Sequence, residues 1–166
     1  MFTLRPTVRL AKRLGIPAQA EQYKPTTALG DWYANVLHLR PRHVVLCISD
    51  TSLLPVVLSG QELRKTMLTD FRTGITDILA AIGVDDFDIA AELEEMRRFI
   101  VGKPLSRSVL GSMNDLAWGL ECRLEADPRI PLKELALQLA DTPCRPLKYD
   151  SPIEATRALF SGKTAS

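Results

Sequence analysis

A chain of 166 residues can bury a core without disulfide staples, and 46% hydrophobic with 25% charged residues is ordinary for a globular protein. With 21 basic against 20 acidic residues the net charge is +1, so nothing global draws the chain to nucleic acid, anionic membrane or acidic substrates, and such binding requires a local patch. No apolar run reaches the length of a membrane span, and Arg5, Arg9, Lys12 and Arg13 interrupt what would be a signal-peptide core.

Cys47, Cys122 and Cys144 lie far apart and form no C-x-x-C pair. That usage suits a reducing cytoplasm and argues against a disulfide framework. The expectation is one soluble cytoplasmic domain over 1–166, with 161–166 a frayed tail.

In chain order, Phe2 to Arg5 reads as a short strand. Thr7 then caps a helix from Val8 to Leu14, with Gly15 as its stop. Residues 15–31 carry Pro17, Pro25 and Gly30 and read as a long loop, a size often tied to function in compact domains. A three-stranded meander follows over 33–59. Its second strand, His43 to Ser49, is apolar on both faces from Val44 to Ile48 and belongs inside a covered sheet. Pro55 removes a ladder donor and puts the third strand at an edge.

Ser59-Gly60-Gln61-Glu62 matches a capping box. Behind it Leu63, Met67, Phe71, Ile75, Ile78, Leu79 and Ile82 repeat at helical spacing up to Gly83. Asp85, Asp86 and Asp88 open a second helix through Arg98, its acids complementing the dipole. Phe99 to Lys103 reads as a fourth strand. Val109, Met113, Leu116, Leu120 and Leu124 mark one face of a helix from about Ser108 to Ala126. Two shorter helices, Pro131 to Ala140 and Pro152 to Phe160, each begin on proline, with an extended connection between them. The fold class expected is α+β: a small, mostly antiparallel sheet, meander 33–59 plus one or two short strands, covered by helices.

Most familiar chemistries are set aside by spacing. The SGKT at 161–164 has Arg157 where a phosphate-binding loop needs its first glycine, and a helix rather than a strand precedes it. Gly111-Ser112 is no nucleophile elbow, since Asn114 stands where glycine is required. His38, His43 and Cys47 straddle the first hairpin, but His43 and Cys47 are about 13 Å apart along a strand, too far for one zinc ion. His38 and His43 read as an exposed pair beside a turn. Asp86, Asp88, Glu92, Glu94 and Glu95 read as a solvated helix face rather than magnesium ligands. No catalytic residue, metal or cofactor is expected, and the reading leans away from an enzyme.

Two stretches remain. Arg40, Arg42 and His43 at the first turn, near Arg5, Arg9, Lys12 and Arg13 if the N-terminal helix lies close, form a possible nucleic-acid-binding patch. Arg107, Ser112, Asn114 and Asp115 cluster within two helical turns and form the candidate surface for a protein partner. The local alternative for the second is structural: Ser106 or Ser108 caps, Gly111 and Ser112 permit close packing, and Asn114 and Asp115 bond a neighbouring loop.

The run R-S-V-L-G-S-M-N-D at 107–115, with TTALGDWYANVL upstream and LADTPCRPLKYDSPIEATRAL downstream, resembles a family of small bacterial proteins known only as a domain of unknown function. The resemblance spans about 24–160, and Ser106 stands where that family often has Asn. It implies a bacterial, cytoplasmic α+β domain, a companion of mobile-element or plasmid genes, and brings no activity or catalytic residue. The function expected is a non-enzymatic protein-interaction or regulatory module. The alternative is a nucleic-acid-binding or small nuclease-like toxin using the 40–43 turn, and weaker still is a hydrolase using Arg107 and Asp115 with a histidine. No membrane partner is expected, and oligomeric state is left open.

Overall fold

A computed structural model describes residues 1–162. Strand β1 (Phe2–Pro6) leads through helix α1 (Val8–Leu14) and a long loop into β2 (Trp32–His38), β3 (His43–Ser49) and β4 (Pro55–Ser59). Then come α2 (Leu63–Ala81), α3 (Asp86–Glu95), β5 (Phe99–Val101), α4 (Arg107–Ala126), α5 (Leu132–Ala140), a 3-10 turn (Arg145–Leu147) and α6 (Pro152–Ser161). Ser161, expected in the frayed tail, closes α6, while 163–166 lie outside the described residues.

The sheet order is β4-β3-β2-β1-β5. The meander β2-β3-β4 is antiparallel, with β4 at the edge, as its proline requires. The other half departs from expectation. Strand β1 pairs in parallel with both β2 and β5, so the α+β sheet is mixed rather than mostly antiparallel. The reason is topological: α1 and the loop after it carry the chain back to the same end of the sheet before β2 begins, as a parallel crossover demands.

Side chains alternate across this sheet. Phe2, Leu4, Trp32, Ala34, Val36, Val45, Cys47, Val56 and Leu58 share one face by register. Helix α2 lies on that face: Phe71 meets Trp32 edge-on at 5.0 Å and Phe2 at 6.1 Å, and a Cβ on Gly74 would stand 2.5 Å from Val56. The opposite face carries Thr3, Arg5, Tyr33, Leu46 and Ile48, with α4 against it. There the Tyr33 hydroxyl accepts from the Leu105 and Ser106 backbone N–H groups at 3.3 and 3.0 Å and fixes the start of α4. Both faces being covered explains why every residue from Val44 to Ile48 is buried.

Local signals set most boundaries. Thr7, Asp85, Ser106 and Ser151 each accept a backbone N–H at the start of a helix, and Gly15 ends α1 in the left-handed region. The capping box at 59–62 does not form. Among the described residues Ser59 accepts only from the Gln61 N–H, and α2 starts at Leu63 behind Glu62, which has positive φ and makes no side-chain cap bond. Gly60 is held against the His43 backbone, where a Cβ would stand at 2.8 Å, so the chain is bent around β3 before the helix can begin. The extended connection expected at 142–152 instead contains the 3-10 turn, followed by Lys148 and Tyr149 with φ of 54° and 67°. Among the described residues no helix is long and apolar enough to cross a membrane.

Candidate functional site

The sequence-expected partner residues all sit on α4, but on two sides of it. Successive helical residues turn by about 100°, so Ser108, Gly111, Ser112 and Asp115 face one way while Arg107, Asn114 and Trp118 form an adjoining, outward stripe. The first set lines a groove of about 460 Å³, closed on its other side by Pro143, Cys144, Arg145, Pro146 and Tyr149. Ser112 is buried at its floor, and Arg107, Asn114 and Asp115 are exposed. The groove thus joins the R-S-V-L-G-S-M-N-D run to the TPCRPLKYDS segment.

Two local readings fail here. A Cβ built on Gly111 would meet nothing within 4 Å, so this glycine does not permit close packing of another element. Among the described residues neither Asn114 nor Asp115 makes a side-chain hydrogen bond or ion pair, so neither is tied to a neighbouring loop. Asp115 is felt electrostatically across the groove: burial first, and then its charge, push the Cys144 thiol above its ordinary pKa. Tyr149 is exposed at the rim, on the second of two consecutive left-handed residues, a conformation that costs roughly 1–3 kcal/mol at each non-glycine residue.

Sequence reasoning missed Trp118, which is 71% exposed on the same stripe as Arg107 and Asn114. Its spacing off the Val109–Met113–Leu116–Leu120 face was the available signal.

The basic patch is rearranged. Arg42 is half-buried and donates from its guanidinium to the Ile130 carbonyl at 2.6 Å, so it ties the β2–β3 turn to the α4–α5 connection. Arg40 and His43 remain exposed. His43 meets His38 across the ladder, ring centroids 5.1 Å apart. Desolvation first, then His43, Arg13 and Arg9, hold the His38 imidazole below its ordinary pKa, so α1 does bring its arginines to this end of the sheet. Arg5 belongs to no patch: it is buried and paired with Asp31. By alternation both histidines stand on the α1–α2 face, so the sheet separates them from Asp115 and Arg107 on the α4 side. Among the described residues no group of three or more His, Cys, Asp or Glu is placed to hold a metal ion.

Glu92 also departs from the solvated face expected for it. It is buried, and its carboxylate accepts from the Ala28 and Leu29 N–H groups at 2.8 and 3.0 Å, anchoring the loop that precedes β2.

The fold and groove together define a compact mixed-sheet α+β domain with a helix-borne surface. A model of the family described as Domain of unknown function (DUF6933) matches residues 3–155, and the chain belongs to that family. The match begins within β1 and covers most of the 24–160 stretch that carried the resemblance. No curated protein and no solved structure matches the chain.

Proposed function

We propose that this protein is a non-enzymatic interaction module of the bacterial cytoplasm that binds another protein through α4. One observation carries the reading: Trp118 stands largely exposed on the stripe that holds Arg107 and Asn114, beside a groove that ends on the exposed Tyr149. Tryptophan, tyrosine and arginine are the residues that most often dominate binding energy at protein interfaces. An exposed aromatic of this size, next to a carboxylate that has no ion-pair partner among the described residues, gives a partner both an apolar anchor and a charge to match. Three free cysteines, with Cys122 exposed, support the cytoplasmic placement. Affinity purification from the native host should recover a stoichiometric partner, with recovery reduced by Trp118→Ala, Arg107→Ala or Asp115→Ala. A monomer purified with no partner would count against the reading.

A second reading has its own support. Arg9 and Arg13 of α1 act on His38 beside His43, and Arg40 is exposed at the same turn, so a cationic end exists that could hold phosphates. It predicts salt-sensitive binding of labelled RNA or DNA that falls when Arg9, Arg13 and Arg40 are replaced together. Unchanged mobility of both nucleic acids at low salt would remove it.

A further inference from the structure

A second cleft, of about 730 Å³, lies between α1 and the residues following β5. Pro6, Ala11, Ile16, Pro17 and Pro104 give it apolar walls, and Val8 stands 73% exposed at its lip. Lys12 and Lys103 rim it; among the described residues neither ammonium group has an ion-pair partner. Helix α1 carries no acid. The nearby sheet edge is not open for strand addition, because the Gln19 N–H donates to the Val101 carbonyl.

We propose that this cleft docks an acidic segment of another protein, with an apolar side chain in the cleft and carboxylates on Lys12 and Lys103. The chemistry follows from the lining. Apolar walls accept a leucine- or phenylalanine-sized anchor, and the lysines are complementary to acids on either side of it. A bilayer fits less well. Leu10 is buried in the core and Leu14 packs partly against it, so the main apolar stripe of α1 faces inward, and what remains is concave. Nucleic acid fits less well too, because no aromatic side chain lines the cleft to stack a base.

The test is selection of displayed 12-residue random peptides on the full chain, followed by fluorescence anisotropy with the enriched sequences. Enriched peptides should place Asp or Glu on both sides of a Leu, Phe or Trp. Their affinity should weaken about tenfold or more with the Lys12→Glu/Lys103→Glu chain and with Val8→Asp, and should weaken with added salt. Asp115→Ala, in the α4 groove, should leave it unchanged, which separates this site from the partner surface proposed above. These positions are exposed, and circular dichroism of each variant checks that it folds. Enriched peptides lacking acids, or equal binding to the charge-reversed chain, would overturn the proposal. So would failure to enrich any peptide at this cleft. Sedimentation with phosphatidylglycerol vesicles, or binding of oligouridine, that depends on Lys12 and Lys103 when no acidic peptide binds would also overturn it and assign the lysines to a lipid or nucleic-acid surface.

Discussion

The Arg5 guanidinium is joined to the Asp31 carboxylate at 3.1 Å, with side chains only 8% and 7% exposed. Asp31 also accepts the Thr3 N–H at 2.8 Å, and Arg5 donates to the Lys103 carbonyl at 2.7 Å. The pair therefore ties β1, the loop before β2 and the segment after β5 into one unit, at the parallel half of the sheet. Arg5→Met leaves Asp31 buried without its cation and should cost about 3–5 kcal/mol. Adding Asp31→Leu should cost less than the sum of the two single changes, because the pair is coupled. Urea unfolding of the four chains measures this, and additive losses would show that the ion pair does not act as a unit.

Glu92 does for the Thr27–Asp31 loop what Asp31 does for β1. Replacing Glu92 by Ala orphans the buried Leu29 donor, at about 1–3 kcal/mol, and the partly buried Ala28 donor at a lower cost, and should release the loop before the sheet unfolds. Native-state hydrogen exchange checks it: the Ala28 and Leu29 amides should be protected in the wild type and exchange far faster in the variant. Equal protection would mean the loop is held by other contacts.

How much of this was open to sequence reasoning depends on distance along the chain. Thr7, Asp85 and Ser106 announce their helices within three residues, and the α2 stripe and the meander carry their own periodicity. The pairing of β1 has no such local mark, because which edge a strand joins is decided by α1 and the long loop. Arg5 reads as a solvent charge until Asp31, 26 residues on, is seen to lie beside it. Glu92 sits among acids that do face water, and only the placement of the Thr27–Asp31 loop singles it out. At the candidate site the division of α4 into two sides was legible, since Asn114 and Asp115 are adjacent in sequence and so about 100° apart. The groove's other wall was not, because it comes from the 142–149 segment.

The aromatic cluster on the α2 face gives a plain test of the core. Phe71 is buried against both Phe2 and Trp32, so Phe71→Ala should cost about 3–5 kcal/mol. A loss under about 1 kcal/mol in urea unfolding would place Phe71 outside the core.

Asp50 makes the stability depend on pH in an unusual direction for an aspartate. Burial first, then the charge of Asp31, hold its carboxyl above the usual range, although it accepts from the Asp31 N–H at 3.0 Å and the Thr51 hydroxyl at 3.1 Å. The folded state therefore keeps this proton to higher pH than the unfolded chain does. The stability tied to protonated Asp50 is full below the ordinary aspartate pKa, about 4, and is lost as pH rises through the raised folded value. Asp50→Asn keeps the accepting Oδ1 and removes the titration. Its stability relative to wild type should grow as pH rises from about 4 toward neutrality. Urea midpoints across that range decide it, and a constant difference would mean Asp50 titrates alike in both states.

Cys144 reports the α4 groove from solution, with Cys122 and Cys47 as references. Cys122 is exposed, Cys144 partly buried and Cys47 fully buried in the sheet, and only the thiolate reacts with alkylating reagents. Burial pushes the Cys47 thiol far up, so it should label only on unfolding. Cys122 should label first. Cys144 should lag behind it, because burial and then the Asp115 carboxylate raise its pKa. Asp115→Asn removes that second cause while leaving the groove's shape, so Cys144 should label faster in this variant and Cys122 at an unchanged rate. Mass spectrometry of iodoacetamide-treated protein over time resolves the three sites. If Asp115→Asn left the Cys144 rate where it was, the carboxylate would not act across the groove, and the case for a charged partner surface there would lose its electrostatic support.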